Sequence, residues 1–294
     1  MFGKILVPLD GSELAEGALD YVLAVPRTKR TKVVLLSVVA HPGEPGDHPM
    51  KAYLDATVQR LEDEGVNASA AIAYGHAAHE IVEFAEENQA DLIVMSSHGY
   101  SGVKLRILGS IAQEVLHRTC VPLLLVKPKG EKGTEVAWKK VLVPLDGSPF
   151  SESAIGYVAE VVKGSGSEIV LVRVSEPPMV PVTWSRDVDS HRKEYQQRLT
   201  GEMQQQAIEY LEGVRATLGK KRMKVKPLAV VGVAPQSILD TAEKENADLL
   251  VMSTHGRSGV SRWVYGSVVN EVVQRCVRPM LLVRPCRPES PRPK

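Results

Sequence analysis

The chain of 294 residues carries the same sequence pattern twice, and this duplication constrains its fold more than any other feature. Residues 5–12 recur as residues 141–148, with seven of eight residues identical at a spacing of 136. Residues 90–99 recur as residues 247–256, with eight of ten identical at a spacing of 157. Such self-similarity indicates two copies of one structural unit. We therefore predict two domains joined by a linker rich in Lys, Gly and Glu, with the bounds 1–128 and 139–286.

Apolar runs of strand length alternate with helical patterns along each copy. In the first copy these runs are residues 4–9, 33–39, 68–74, 91–95 and 122–126. Continuously apolar strands separated by amphipathic helices are typical of a parallel sheet that is covered on both faces. We therefore predict an α/β fold of two tandem, doubly wound domains, each built on a five-stranded parallel sheet.

The clearest helical patterns begin at Ser12 and at Ser148. Pro149 comes directly after Ser148, at the first helical position, where proline is favoured. The second copy also carries extra residues, because the spacing grows from 136 to 157 between the two repeats. These residues fall within 175–224 and include a long polar helix. Its predicted apolar face comprises Leu199, Ile208, Leu211, Val214 and Leu218. We consider two roles for this segment, a lid over the ligand site and a surface excursion without contact to it. The apolar stripe after Ser148 is predicted to comprise Phe150, Ala154, Tyr157, Val158 and Val161.

In a sheet of this kind, ligands bind beyond the carboxyl ends of the strands, where the strand order reverses. Asp10 follows the first strand and Ser96 ends the fourth, so both are expected at this edge. Asp146 and Ser253 occupy the matching places in the second copy. For the two aspartates we consider a helix-capping or turn role and a role in accepting hydrogen bonds from a ligand.

A loop rich in glycine and serine follows the fourth strand in each copy and ends in a Gly-Ser pair. A helical pattern begins directly after that pair. Backbone N–H groups that small side chains leave uncovered, together with a helix N-terminus, bind phosphate. The alternative for each pair is an ordinary helix cap, since serine is favoured there. We predict two phosphate-binding loops, whose small residues are Gly99, Gly102, Gly109 and Ser110 in the first copy and Gly256, Gly259, Gly266 and Ser267 in the second.

Other loop residues differ in how they match between the copies. Arg257 can hold a phosphate bidentately, but Tyr100 stands at the corresponding position. His98 and His255 occur in both copies, and we interpret them as loop anchors rather than general bases, because no nucleophile or carboxylate stands at a fixed spacing from them. We find no P-loop, zinc-protease or nucleophile-elbow motif. The sequence therefore predicts no catalytic residues and no metal ligands.

Composition and charge narrow the class of protein. Lys and Arg number 36 against 35 Asp and Glu, and this balance argues against a general nucleic-acid binder. No apolar run approaches the roughly 20 residues that a membrane span needs. A strand pattern begins by Lys4, so we expect no signal peptide. The three cysteines lack metal-ligand spacing, and we expect reduced thiols in a cytoplasmic protein.

The whole chain resembles a tandem universal stress protein, with both halves covered. Members of that family that bind adenine nucleotides carry G-x-x-G, nine residues and then G-[ST] after the fourth strand. Here Ser96 and Ser253 stand where that motif has its first glycine, and the remaining motif residues match. The resemblance implies a Rossmann-like fold of the adenine nucleotide alpha hydrolase type. It also implies ATP or another adenine nucleotide as ligand, with Mg²⁺ as an optional companion.

The resemblance further implies a role for each matching residue. Asp10 and Asp146 take the position that contacts the nucleoside, and the second strands offer backbone groups to adenine at Val38 and Val174. The residue after each Gly-Ser pair offers a helix N-terminal N–H. The implied nucleotide-binding residues are Pro8, Asp10, Val38, Met95, Ser96, Gly99, Gly102, Gly109, Ser110 and Ile111 in the first copy, and Pro144, Asp146, Val174, Met252, Ser253, Gly256, Arg257, Gly259, Gly266, Ser267 and Val268 in the second.

We therefore expect an ATP-binding stress-response regulator with one potential nucleotide site per domain. Family members pair through the edge formed by their last strand and commonly dimerise, so pairing within this chain and a homodimer of chains are both expected. Two alternatives stay open. One is an interaction module that no longer binds nucleotide, and the other is a slow ATPase or an adenylyl-transferring enzyme.

Overall fold

Strands and helices alternate along the chain in this computed structural model. It describes residues 2–40, 49–98, 108–127, 136–177, 189–219, 223–254 and 266–284. The strands of the first half are β1 (Lys4–Pro8), β2 (Lys32–Val39), β3 (Asn67–Tyr74), β4 (Leu92–Ser96) and β5 (Leu123–Val126). The helices between them are α1 (Glu13–Ala24), α2 (Pro49–Asp63), α3 (Ala77–Glu87) and α4 (Ser110–Arg118).

The second half repeats this order. Its strands are β6 (Lys140–Pro144), β7 (Glu168–Ser175), β8 (Lys224–Val231), β9 (Leu249–Ser253) and β10 (Met280–Val283). Its helices are α5 (Pro149–Glu152), α6 (Ala154–Val161), α7 (Asp189–Gly219), α8 (Ala234–Lys244) and α9 (Ser267–Arg275). The alternation predicted from the apolar runs is confirmed.

The strands form a ten-stranded sheet in the order β3-β2-β1-β4-β5-β10-β9-β6-β7-β8. Within each half all neighbouring strands are parallel. The two halves meet at β5 and β10, which run antiparallel with Leu281 opposite Leu124. The predicted α/β fold with two doubly wound, five-stranded parallel units is therefore confirmed, and the pairing of last strands occurs within the chain.

Helices cover both faces of the sheet because alternate residues of each apolar strand face opposite sides. On one face Ile5, Leu35 and Val141 pack with apolar residues of α1, α2, α6 and α7. On the other face Leu36 and Met95 pack with residues of α3, α4, α8 and α9. The edge at which ligand binding is predicted lies at the carboxyl ends of these buried strands, which hold it in place.

The helix predicted after Ser148 differs from the expectation, because it is divided into α5 and α6. The hydroxyl of Ser151 donates to the backbone carbonyl of Ser148 at 2.9 Å. The hydroxyl of Ser153 donates to the backbone carbonyl of Phe150 at 2.6 Å. Serine side chains that bond nearby carbonyls compete with the helical ladder. Phe150 is 41% exposed, so its assignment to the buried stripe was wrong.

The extra residues of the second half lengthen the helix that covers β7 and β8. α7 has 31 residues, whereas its counterpart α2 has 15. The predicted apolar face is confirmed at Leu211, Val214 and Leu218, which are buried against the sheet, whereas Leu199 and Ile208 are only half-buried. This part of the segment is a core helix. Residues 178–188, which would carry a lid, lie outside the described residues.

The cysteines depart from the expectation of three reduced thiols. Cys276 is free and buried, but Cys120 is disulfide-bonded. Count and spacing do not report which cysteines a fold brings together, so the sequence carried no signal for this bond. In the described part of the chain, no helix has the length and apolar character that crossing a membrane requires.

Candidate functional site

A cavity of about 410 Å³ lies at the carboxyl ends of β1 and β4 in the first half. This volume falls within the range of roughly 300–1,000 Å³ that small-molecule sites occupy. Every predicted first-half site residue that the structure describes lines the cavity. These residues are Pro8, Asp10, Val38, Met95, Ser96, Gly109, Ser110 and Ile111. Gly99 and Gly102 lie outside the described residues.

The strand order explains why residues so far apart in sequence meet here. From β1 the chain winds outward to β2 and β3, and it then returns to place β4 on the opposite side of β1. The pairing of Ile5 with Leu92 brings the last residues of β1 and β4 to the same edge. This reversal is the switch point at which doubly wound sheets bind ligands.

Asp10 shapes the turn between β1 and α1. Its Oδ1 accepts hydrogen bonds from the backbone N of Ser12 at 3.0 Å and from the hydroxyl of Ser12 at 2.6 Å. Ser12 in turn caps α1 by accepting from the backbone N of Ala15 at 3.1 Å. Gly11 between them has φ of +80°, a conformation that favours glycine. The turn role of Asp10 is thus present in the structure, and its ligand role stays a prediction.

The Gly-Ser pair of the first half begins α4, but glycine rather than serine is the capping residue. Gly109 is the N-cap and Ser110 the first helical residue, and no side chain among the described residues caps the helix. Gly109 donates from its backbone N to the carbonyl of Ser97 at 2.9 Å. A Cβ at Gly109 would lie 3.1 Å from that oxygen, which is a tight contact. The helix N-terminus therefore presents amides beside the cavity without a competing side-chain cap.

His98 lines the same cavity, although the sequence suggested only an anchoring role for it. The anchor is present, because its Nδ1 lies 2.9 Å from the hydroxyl of Ser97. Its side chain is buried, and its Nε2 has no hydrogen-bond partner among the described residues. A buried polar atom without a partner is uncommon in folded proteins. His98 is therefore placed to bond a ligand.

The cavity also has an apolar wall that the sequence did not assign to a site. Ala77 and Ile81 of α3 and Leu36 of β2 line it beside Val38 and Met95. Their pattern is that of ordinary core residues, so no sequence signal separates them from the core. The cavity joins this apolar wall to a polar end formed by Asp10, Ser96 and the start of α4. This arrangement suits a flat apolar ring that carries an anionic group.

The second half places its predicted residues at matching positions. Met252 and Ser253 end β9 and are buried, and Val174 and Val268 pack in the same apolar cluster as Met252. Pro144 ends β6, and Gly266 caps α9, with Ser267 as its first helical residue. Gly256, Arg257 and Gly259 lie outside the described residues, as does His255.

The turn at Asp146 has different neighbours from the turn at Asp10. Asp146 accepts from the backbone N of Ser148 at 2.9 Å, as its counterpart does from Ser12. In the second half an arginine, Arg173, lies beside this turn, with its Nη1 3.2 Å from the point that a Cβ on Gly147 would occupy. In the first half the Met50 methyl takes the corresponding place, 3.5 Å from the point that a Cβ on Gly11 would occupy.

That arginine is contacted by a tyrosine of α7. Arg173 lies 4.7 Å from the centre of the Tyr210 ring, and the Tyr210 hydroxyl donates to Glu152 at 2.9 Å. Burial, together with this hydrogen bond, raises the pKa of Tyr210. The second half therefore carries a positive charge beside its turn, and the two candidate sites are not equivalent.

The comparisons with known proteins agree with this architecture. The family model described as "Universal stress protein family" matches residues 1–127 and 137–284. The chain is 26% identical over 159 residues to universal stress protein MJ0577 of Methanocaldococcus jannaschii, covering 51% of this chain and 96% of that protein. It is 31% identical over 146 residues to MJ0531 of the same organism, covering 45% of this chain and 86% of that protein.

A solved structure has the same fold over nearly the whole length. The crystal structure of a universal stress protein from Archaeoglobus fulgidus aligns with a TM-score of 0.68 at 23% identity, covering 96% of this chain and 98% of that one. The two family matches leave only the linker and the last residues uncovered. The chain belongs to the universal stress protein family.

Proposed function

We propose that this protein is a stress-response regulator that binds an adenine nucleotide, ATP in the first instance, in the cavity of its first half. The observation that carries the proposal is that residues from β1, β2, β4 and α4 line one cavity at the switch point. The second half has a potential site at the matching place. Its domain is predicted to span residues 139–286, and the first to span 1–128.

Each part of the cavity suits one part of the nucleotide. The apolar wall around Val38 and Ile81 accepts the adenine ring, whose exocyclic amine can donate to a backbone carbonyl at the end of β2. Asp10 accepts a hydrogen bond from a ribose hydroxyl. The amides at the start of α4, beside Ser110, bind the phosphates, because they combine uncapped N–H groups with the positive end of the helix dipole. Mg²⁺ would be held chiefly by the phosphates, as is usual for this ion.

A regulatory role follows from the binding chemistry and the predicted lack of catalytic groups. Nucleotide occupancy would set a conformation of the protein or a surface that a partner recognises. By family resemblance we further propose a cytoplasmic homodimer of tandem chains that does not act on nucleic acid. Light scattering of the purified protein should then give the mass of two chains.

Calorimetric titration of nucleotide-free protein with ATP, AMP and a cyclic nucleotide, each with and without Mg²⁺, tests the proposal. We expect saturable binding of ATP at up to two sites. The double substitution Gly109→Glu and Gly266→Glu should abolish it, because each adds a carboxylate where the phosphates would bind. Gly201→Glu is the matched control, since a Cβ at this position in α7 meets nothing within 4 Å.

Two results would contradict the proposal. Absence of saturable heat with every nucleotide would favour the interaction module. Sustained release of phosphate or pyrophosphate that is lost in Asp10→Ala and Asp146→Ala variants would favour the enzyme.

A further inference from the structure

A second cleft lies where the two halves of the chain join, and it shares no residue with the nucleotide cavity. It has a volume of about 220 Å³. Both halves and the residues that connect them contribute to it. The residues that define this joint cleft are Tyr21, Lys127, Trp138, Lys139, Asp248 and Arg278.

Strand register brings two cations together in the joint cleft. β5 and β10 pair Leu125 with Met280, and continuing this antiparallel register by two residues places Lys127 opposite Arg278. Like charges directly opposite each other destabilise a sheet. Lys127 and Arg278 also both lie near the sulfur of Cys276. Burial raises the pKa of this thiol, and a hydrogen bond with the Arg278 backbone and the two nearby cations oppose the rise. The pairing of β5 with β10, which we call the joint, thus concentrates positive charge at one of its two ends.

No carboxylate of the described residues forms an ion pair with Lys127, Lys139 or Arg278. Asp248 lines the cleft, but its Oδ2 already accepts from the backbone N of Lys139 at 3.0 Å and of Lys140 at 2.9 Å. The Lys127 ammonium is partly buried, and this burial lowers its pKa. A cation that is removed from water without a counter-charge is unfavourable.

Two buried donors accompany these cations. The rings of Tyr21 and Trp138 stack with centroids 5.9 Å apart, and both side chains are almost fully buried. Neither the Tyr21 hydroxyl nor the Trp138 Nε1 has a hydrogen-bond partner among the described residues. An indole N–H can only donate. The lining of the cleft therefore favours an acceptor with negative charge.

The opposite end of the joint supplies an internal comparison. The duplication places Phe2, Gly3 and Val121 there, at the positions of Trp138, Lys139 and Arg278. Lys127 corresponds to Arg284, which donates to the carbonyl of His117. The positions of Lys127, Lys139 and Arg278 thus correspond at the other end to only one cation, Arg284, and this cation already has a hydrogen-bond acceptor. The pairing of β5 with β10 therefore does not itself require the positive charge of the joint cleft.

We propose that the joint cleft binds a small oxyanion of the phosphate class, which lies between the three cations and accepts from the buried donors. Its volume is below the roughly 300–1,000 Å³ of sites for larger ligands, so the occupant is of the size of orthophosphate, pyrophosphate or a short phosphorylated metabolite. The bound anion neutralises the like charges across β5 and β10 and strengthens the contact between the halves.

Trp138 provides a local readout. In a Trp184→Phe, Trp263→Phe protein it is the single tryptophan, because the chain has three. Titration with orthophosphate and with pyrophosphate at constant ionic strength should give a saturable change in its fluorescence. Substituting Lys139→Gly and Arg278→Val installs the residues of the opposite end. We expect the affinity to fall at least about tenfold, since losing even one charge-assisted hydrogen bond lowers an affinity by about that factor.

The double variant Lys32→Val, Lys224→Val is the matched control, because it removes two exposed lysines from β2 and β8, which are distant from the joint in the sheet. It should bind like the parent. Circular dichroism checks that each variant folds. If the Lys139→Gly, Arg278→Val protein is unstable, Arg278→Val alone gives the same comparison. No saturable response to either anion would overturn the proposal. An equal response in the Lys139, Arg278 variant would do so too, because the anion would then bind elsewhere, such as at the nucleotide sites.

Discussion

At the scale of single residues, Asp10 links the fold to the proposed site. Its Oδ1 holds the turn through Ser12, which caps α1, and the same side chain lines the cavity. One carboxylate thereby sets the position of the turn and faces the ligand space. Asp146 repeats the turn contact with Ser148, but with Arg173 beside Gly147. We therefore expect the two sites to differ in affinity.

His98 is the residue whose role can be tested most sharply at this scale. The background protein carries Gly266→Glu, so that binding is measured at the first site alone. In this background, His98→Ala should weaken ATP binding about 2- to 10-fold, because one hydrogen bond is lost. Calorimetry gives the affinity. His79→Ala is the control, because His79 is exposed on α3. Equal affinities for the two variants would show that Nε2 of His98 does not contact the nucleotide.

Site residues at strand ends and at the start of α4 were predictable from the sequence, whereas those that α3 contributes were not. Pro8, Asp10 and Ser96 follow or end apolar runs, and parallel strands bring such positions to one edge. Ala77 and Ile81 line the cavity from α3, and their spacing is that of any helix packed on a sheet. The sequence allowed His98 to be interpreted as an anchor. That its Nε2 is buried without a partner among the described residues, and that the residue lines the cavity, is visible only in the structure.

At the scale of elements, a charged cluster fastens α8 to the sheet in the second half. Glu245, directly after α8, accepts from Lys226 of β8 at 2.8 and 2.9 Å and from Lys140 of β6 at 3.3 Å. Hydrogen bonds from Lys226 are the largest cause of its lowered pKa, and burial opposes this shift. In the first half Asn88 stands at this position and its carbonyl accepts from Lys4.

Glu245→Gln should lower the free energy of unfolding at pH 7 by about 1 kcal/mol or less, because Lys226 is partly exposed. Since the folded-state pKa of this carboxyl lies below its unfolded value of about 4.3, the stabilisation is present above that value and is lost as the pH falls through the folded pKa. Urea denaturation between pH 7 and pH 3 measures the difference. Glu243→Gln is the exposed control, and a difference that does not decrease as the pH is lowered would contradict the assignment.

The division of α5 from α6 was not predictable from apolar spacing. Phe150 fits the stripe, but the hydroxyls of Ser151 and Ser153 bond carbonyls one turn back and divide the helix. Local hydrogen bonds of this kind compete with propensity. The length of α7 was indicated by the enlarged spacing between the repeats, and its packing on the sheet needed the structure.

At the scale of the whole molecule, two similar halves share one sheet through a single antiparallel pair of strands. Leu124 and Leu281 lie opposite each other there and are buried. Leu281→Ala should therefore lower the free energy of unfolding by about 2–5 kcal/mol, as other buried leucine truncations do. Val233→Ala is the control, because Val233 is 65% exposed. Chemical denaturation measures both, and equal stabilities would show that the joint contributes little.

The fold class was predictable because the duplication and the apolar runs each indicate it independently. The joint was foreseen only through the family resemblance, since nothing in the strands β5 and β10 specifies their antiparallel register. The concentration of Lys127, Lys139 and Arg278 was not foreseen at all. Arg278 is far from Lys127 and Lys139 in the sequence, and only the pairing of the halves brings it beside them.

The most direct test of the central claim is a crystal structure of the protein with millimolar ATP. We predict electron density for the nucleotide in the first-half cavity, with adenine beside Val38, ribose near Asp10 and phosphates at the start of α4 near Ser110. A well-defined cavity that contains only solvent, or ATP bound at a different place on the first half, would contradict the account.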